Sequence, residues 1–199
     1  MAEAVDRLAA DLQDIGAVQF GEFRLKSGLM SPIYIDLRLL PSYPRRLRDV
    51  AAGLAGVAAG LSFERIAGIP YAGLPIGVAL SLEMDRPLIY PRKEVKEYGT
   101  RRSVEGVFAP GETALVVDDL ISTGGAKLEA IEPLLAAGLR VSDVLVVIDR
   151  EQGGKEQLAA RGYKLHPLFT LSQMLGALRR GDRITDEQAR RVRDYIQSQ

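Results

Sequence analysis

The segment ALVVDDLISTGGAKLEAIEPL, residues 114–134, constrains the fold more than any other stretch of the chain. An apolar run, hydrophobic on both pleat faces, leads into two acids, then Ser122-Thr123-Gly124-Gly125, then a helical pattern. A strand of that kind belongs inside a sheet covered by helices, and its carboxyl end is where α/β proteins bind ligands. Small residues there let several backbone N–H groups turn toward one point. The following helix N-terminus adds partial positive charge, so the turn can hold a phosphate without side-chain cations. The spacing is neither GxxxxGK(S/T) nor GxGxxG, which sets aside the Walker and dinucleotide readings. Asp118 and Asp119 are adjacent, so on extended backbone their side chains diverge to opposite faces and their roles should differ. A carboxylate beside a phosphate cradle repels phosphate but accepts hydrogen bonds from sugar hydroxyls, which points to a ribose phosphate.

The rest of the chain fits around this unit. Val5, Leu8, Ala9, Leu12 and Ile15 recur at helical spacing up to Gly16. Phe23 and Leu25, then Ile33, Ile35 and Leu37, alternate on either side of a Ser27-Gly28 turn and predict an early strand pair. Helices are expected over 43–61 and 73–85, and strands over 64–70 and 86–92, each bounded by Gly or Pro. After the strand at 113–121 come a helix over 126–139, a strand over 141–150, a polar helix over 153–162, a strand over 163–169 and two C-terminal helices. This alternation predicts an α/β fold with a mainly parallel sheet flanked by helices, the LVV and VLVVI runs being central strands.

Composition narrows the chemistry. At 199 residues and 47% hydrophobic content, one domain is the default. Lys plus Arg and Asp plus Glu each total 26, so no global attraction to nucleic acid or an anionic membrane is expected. The absence of Cys and the single His exclude disulfides, thiolate nucleophiles and imidazole metal cages. The N-terminal stretch carries acids among its apolar residues, so no signal peptide or membrane span is expected and the protein is read as cytoplasmic. His166 is read as structural.

VVDDLISTGG resembles the PRPP-binding motif of type I phosphoribosyltransferases, PRPP being 5-phosphoribosyl 1-diphosphate. Phe23–Arg38, FRLKSGLMSPIYIDLR, resembles the N-terminal signature of the orotate phosphoribosyltransferases within that class. Residues 92–106, RKEVKEYGTRRSVEG, form a polar stretch without apolar periodicity, read as a long, mobile, basic loop; they are similar to the catalytic loop of the same family. The VVIDREQGGKEQLAARGYKLH stretch resembles the family's next strand and loop. Two positions depart from a common bacterial pattern: Ala72 stands where a Lys follows the Tyr, and Tyr98 where many members have His. KEYGTRR is instead similar to the corresponding domain of the eukaryotic bifunctional UMP synthase.

The resemblance implies a type I phosphoribosyltransferase fold with a small N-terminal hood over about 1–40 and a flexible catalytic loop over about 93–105. It implies transfer of the phosphoribosyl group from PRPP to orotate in pyrimidine biosynthesis, with Mg²⁺ carried by PRPP rather than by a metal site of the protein. The expected PRPP-binding residues are Lys26, Arg92, Lys93, Lys96, Tyr98, Asp118, Asp119, Leu120, Ile121, Ser122, Thr123, Gly124, Gly125 and Ala126. Lys93, Lys96, Asp118 and Asp119 carry the catalytic expectation, and Lys26, Ser122 and Arg150 the orotate-binding one. The family loop closes over PRPP from a neighbouring subunit, which implies a homodimer with shared active sites. From the residues alone, Lys26 on its turn is a point charge able to reach a phosphate or a solvated lysine. Arg150 is a strand-end guanidinium that could grip a planar carboxylate or pair with Asp149 or Glu151.

Overall fold

The computed structural model describes residues 2–24, 28, 30–92 and 103–198. The amphipathic opening forms α1 (Ala2–Asp14), and the alternating stretches form an antiparallel pair, β1 (Val18–Arg24) and β2 (Met30–Ile35). Leu37, expected to continue the strand, instead opens a 3-10 helix over Leu37–Ser42. Asp36 ends the alternation because its carboxylate accepts the Arg38 backbone N–H at 3.1 Å, the local side-chain bond that turns a chain.

The main sheet takes β3 (Arg65–Gly68), β4 (Leu88–Pro91), β5 (Val104–Glu105), β6 (Ala114–Ile121), β7 (Asp143–Asp149) and β8 (Lys164–Thr170), in the order β5-β4-β3-β6-β7-β8. All neighbours are parallel except the edge pair β4 and β5. β5 corrects the expected bounds of the basic loop: Val104 and Glu105 pair with Pro91 and Tyr90, so the loop's end returns to the sheet edge. Val104 is buried, and this apolar residue amid charges anchors the return.

α2 (Pro44–Ala58), α3 (Gly73–Met84), α4 (Gly125–Ala136), α5 (Gly154–Ala159), α6 (Leu171–Arg180) and α7 (Asp186–Gln197) complete the chain. The two C-terminal helices begin at reciprocal capping boxes, Thr170 with Gln173 and Thr185 with Gln188. Strand parity separates two cores. Leu115, Val117, Leu145 and Val147 pack with residues of α1, α2, α3 and α6, whereas Val116, Val144 and Val146 pack with Ile131 and Leu134 of α4 and Leu158 of α5. The LVV and VLVVI runs are thus central strands apolar on both faces, as their sequence predicts. Among the described residues, no helix is long and apolar enough to cross a membrane.

The sheet order fixes where a ligand can sit. From β3 the chain crosses to β4 on one side, and from β6 it proceeds to β7 and β8 on the other. The right-handed crossovers therefore place α3 and α4 on opposite faces and open a crevice beyond the carboxyl ends of β3 and β6.

Candidate active site

A cleft of about 380 Å³ occupies that crevice, lined by Ile69 and Pro70 after β3, Pro91 and Arg92 at the end of β4, Asp118 of β6, and Ala126 and Glu129 of α4. The loop Ser122–Gly124 runs from β6 into α4. Gly124 caps the helix at φ 90°, a left-handed conformation that side-chain-bearing residues rarely adopt. The first N–H groups of α4 have no acceptor within the helix and present the positive end of its dipole to the cleft. The second close approach is at Gly73, where an added Cβ would lie 2.6 Å from the Val117 carbonyl and 2.8 Å from Asp118 Oδ1. Gly73→Ala is therefore expected to destabilise the fold by about 2 kcal/mol, lowering Tm by roughly 4–8 °C. Gly56→Ala, whose Cβ would meet nothing, should lower it not at all in the same calorimetric comparison.

The two acids part as their parity requires. Asp118 shares the face of Val116 and is buried; its Oδ2 accepts a hydrogen bond from Lys127 Nζ and its Oδ1 one from the Asp119 N–H at 2.8 Å. Asp119 lies on the other face, half-buried, and its Oδ1 accepts the Leu120 N–H at 2.8 Å. Burial, then the Asp118 carboxylate, pushes the Asp119 carboxyl up to about 7.

Arg150 follows β7 at the same edge. It does not take either neighbouring acid: Asp149 Oδ1 accepts the Glu151 N–H at 2.8 Å, and Glu151 Oε2 accepts the Ser172 N–H at 2.7 Å. Instead Arg150 Nη1 meets Ser122 Oγ at 3.5 Å, the Tyr195 phenol of α7 lies near enough to favour the charged guanidinium, and its buried Nε has no hydrogen-bond partner. Burial pulls the Arg150 pKa down and Tyr195 opposes it. A desolvated guanidinium with donors to spare is suited to a planar anionic ligand.

Of the residues singled out by sequence, Asp118 to Ala126 run without a break from β6 into α4, Asp118 and Ala126 line the cleft, and Ser122 reaches Arg150. Arg92 lines the cleft and pairs with Glu105 at 2.8 Å. Lys26, Lys93, Lys96 and Tyr98 lie outside the described residues. Sequence reading missed Lys127, whose signal was the lone cation of its helix, set in the first turn among small and apolar residues, and Tyr195, for which there was none. His166 Nε2 bonds Asp143 Oδ1 at 2.7 Å, at the opposite end of β7 from Arg150, in keeping with a structural role.

The sheet order and the strand-loop-helix turn at its switch point define a type I phosphoribosyltransferase architecture. No protein-family model matches the chain. Orotate phosphoribosyltransferase of Cenarchaeum symbiosum is 41% identical over 192 residues, covering 94% of this chain and 96% of that protein. Uridine 5'-monophosphate synthase of Bos taurus is 43% identical over 96% of this chain and 40% of that protein. The solved UMP synthase of Leishmania donovani superposes with a TM-score of 0.90 at 44% identity, over 98% of this chain and 42% of that one. The chain belongs to the orotate phosphoribosyltransferase family. It spans about two fifths of the length of the bifunctional relatives it matches.

Proposed function

We propose that the chain transfers the 5-phosphoribosyl group of PRPP to orotate, giving orotidine 5'-monophosphate and pyrophosphate in cytoplasmic pyrimidine biosynthesis. The observation that carries this reading is the Arg150–Ser122 contact at 3.5 Å, which joins a half-buried cation suited to the orotate carboxylate to the first residue of the phosphate loop.

Displacement at the anomeric carbon builds positive charge on the ribose and negative charge on the departing diphosphate, so positioning and electrostatics can supply the catalysis. Ser122 to Ala126 hold the 5-phosphate on backbone N–H groups, with Leu120 and Ile121 setting the strand end beneath it. Asp118 and Asp119 order the ribose hydroxyls. Arg92, Lys93, Lys96 and Tyr98 receive the diphosphate, and Lys26, Ser122 and Arg150 orient orotate. Mg²⁺, carried in on PRPP, supplies further neutralisation of the leaving group when bound. Following loss of orotate absorbance on mixing protein, orotate, PRPP and Mg²⁺ tests the reading; an unchanged spectrum at high protein concentration would reject it.

The partner we propose is a second copy of the chain. In support, Tyr43, Val78 and Leu82 place an exposed apolar face across the start of α2 and the outer side of α3, Leu82 being 81% exposed. If sites are shared, a Lys96→Ala chain mixed with an Asp118→Asn/Asp119→Asn chain should regain up to about a quarter of wild-type activity by statistical hybrid formation. Zero recovery despite demonstrated subunit exchange would mean self-contained sites.

A further inference from the structure

Lys127 is the one buried cation among the described residues, at 7% exposure, and its ammonium is spent wholly inside the protein on Asp118 Oδ2. Burying an ammonium costs several kcal/mol unless it is paired, and replacing such a pair by apolar side chains is often neutral or stabilising. Stability alone is therefore a weak reason for a lysine here.

Its position supplies a stronger one. Asp118 lines the cleft and Asp119 follows it directly in the chain, and two negative charges that close disfavour each other in a partly desolvated site. Among the described residues, the other charged groups nearby are engaged or of the wrong sign. Arg92 after β4 pairs with Glu105, and Glu129 of α4 is itself an acid. At the end of β7, Arg150 turns to Ser122, while Asp149 accepts a backbone N–H. From α3 the group packed on Asp118 is the backbone of Gly73.

We propose that Lys127 is a positioning residue for sugar-phosphate binding: it pins Asp118 in the cleft wall and supplies the counter-charge that lets Asp118 and Asp119 stand side by side as carboxylates. The proposal rests on the sugar-phosphate reading above. Asp118 is held at both oxygens, by Lys127 and by the Asp119 N–H, and so presents a fixed edge to the ligand. Lys127 also opposes the upward push that burial and Asp118 exert on Asp119. Without it Asp119 retains its proton to higher pH, and a protonated carboxyl loses acceptor capacity toward ribose hydroxyls.

The test compares Lys127→Met and Lys127→Arg with the wild type. The first measurement needs no turnover: carboxyl ¹³C titration of the free protein, with Asp118→Asn and Asp119→Asn used for assignment. Lys127→Met should raise the Asp119 midpoint by about one pH unit or more, and Lys127→Arg should leave it near wild type. The second is a kinetic split, in which Lys127→Met raises KM for PRPP about tenfold while KM for orotate changes less than about twofold. An unmoved midpoint, or equal loss toward both substrates, would overturn the proposal. Should Lys127→Met not fold, Asp118→Asn and Asp118→Asn/Lys127→Met give the same comparison without an unpaired buried charge. The Asp119 midpoint should then be higher in the double variant, and equal midpoints would overturn the proposal. Absence of any turnover with orotate would count against the functional reading, with the titration still deciding the role of Lys127.

Discussion

Arg150→Ala should lower kcat/KM for orotate by about a thousandfold, roughly 4 kcal/mol, while KM for PRPP changes only a few-fold. The guanidinium is half-buried with its Nε fully enclosed, touches Ser122 of the loop between β6 and α4 and, among the described residues, meets no carboxylate. Removing it would leave the orotate carboxylate desolvated and unpaired, and that penalty rather than the worth of one hydrogen bond sets the magnitude. Tyr195→Phe keeps the ring and removes only the phenol oxygen that favours the charged Arg150, so a loss of about tenfold, again confined to orotate, is expected. Initial rates with orotate varied at saturating PRPP, and the reverse, separate these effects. Equal losses on both substrates would place Arg150 in the scaffold rather than at the base.

Asp119→Asn should lose activity by about a hundredfold or more and yet be more stable than the wild type at pH 8. The sign follows from the shift. An unfolded aspartate ionises near its ordinary value of about 4, whereas burial and the Asp118 carboxylate push folded Asp119 up to about 7. The folded chain holds a proton that the unfolded chain releases, so this group's stabilising contribution is complete below about pH 4 and is lost as pH rises through about 7. An amide never ionises and escapes that loss. Discounted for the part of the side chain that solvent reaches, the gain at pH 8 is on the order of 2 kcal/mol, with no gain at pH 4. Denaturant unfolding at the two pH values checks it. Equal stability at pH 8 would mean that the free site does not hold Asp119 under this load.

The strand-loop-helix turn at 114–136 could be read from sequence because its signal is local: an apolar strand, two acids and small residues leading into a helix need no knowledge of the rest of the chain. The divergence of Asp118 and Asp119 was equally accessible, since the pleat alone dictates it. Sheet order was not. That β3 and β6 are neighbours depends on how the whole chain crosses over, and the cleft exists only because of that adjacency. Lys127 was missed because its partner is nine residues back across a turn, where neither helical nor strand periodicity applies. Arg150 could be placed at a strand end from sequence, but the choice between Asp149, Glu151 and a ligand needed the fold, which engages both acids with backbone N–H groups. Val104 and Glu105 were absorbed into the basic stretch because a two-residue edge strand leaves no period to detect.

The base acted on is the central claim, and a competition measures it most directly. Orotate, uracil, hypoxanthine and adenine are mixed in equal amounts with limiting PRPP, Mg²⁺ and the protein, and the nucleotides formed are identified by mass. The expected result is orotidine 5'-monophosphate alone, with one pyrophosphate released for each molecule made. Any other nucleotide as the main product, or intact PRPP at the end of the reaction, would contradict the assignment of Arg150 and the phosphate loop to orotate.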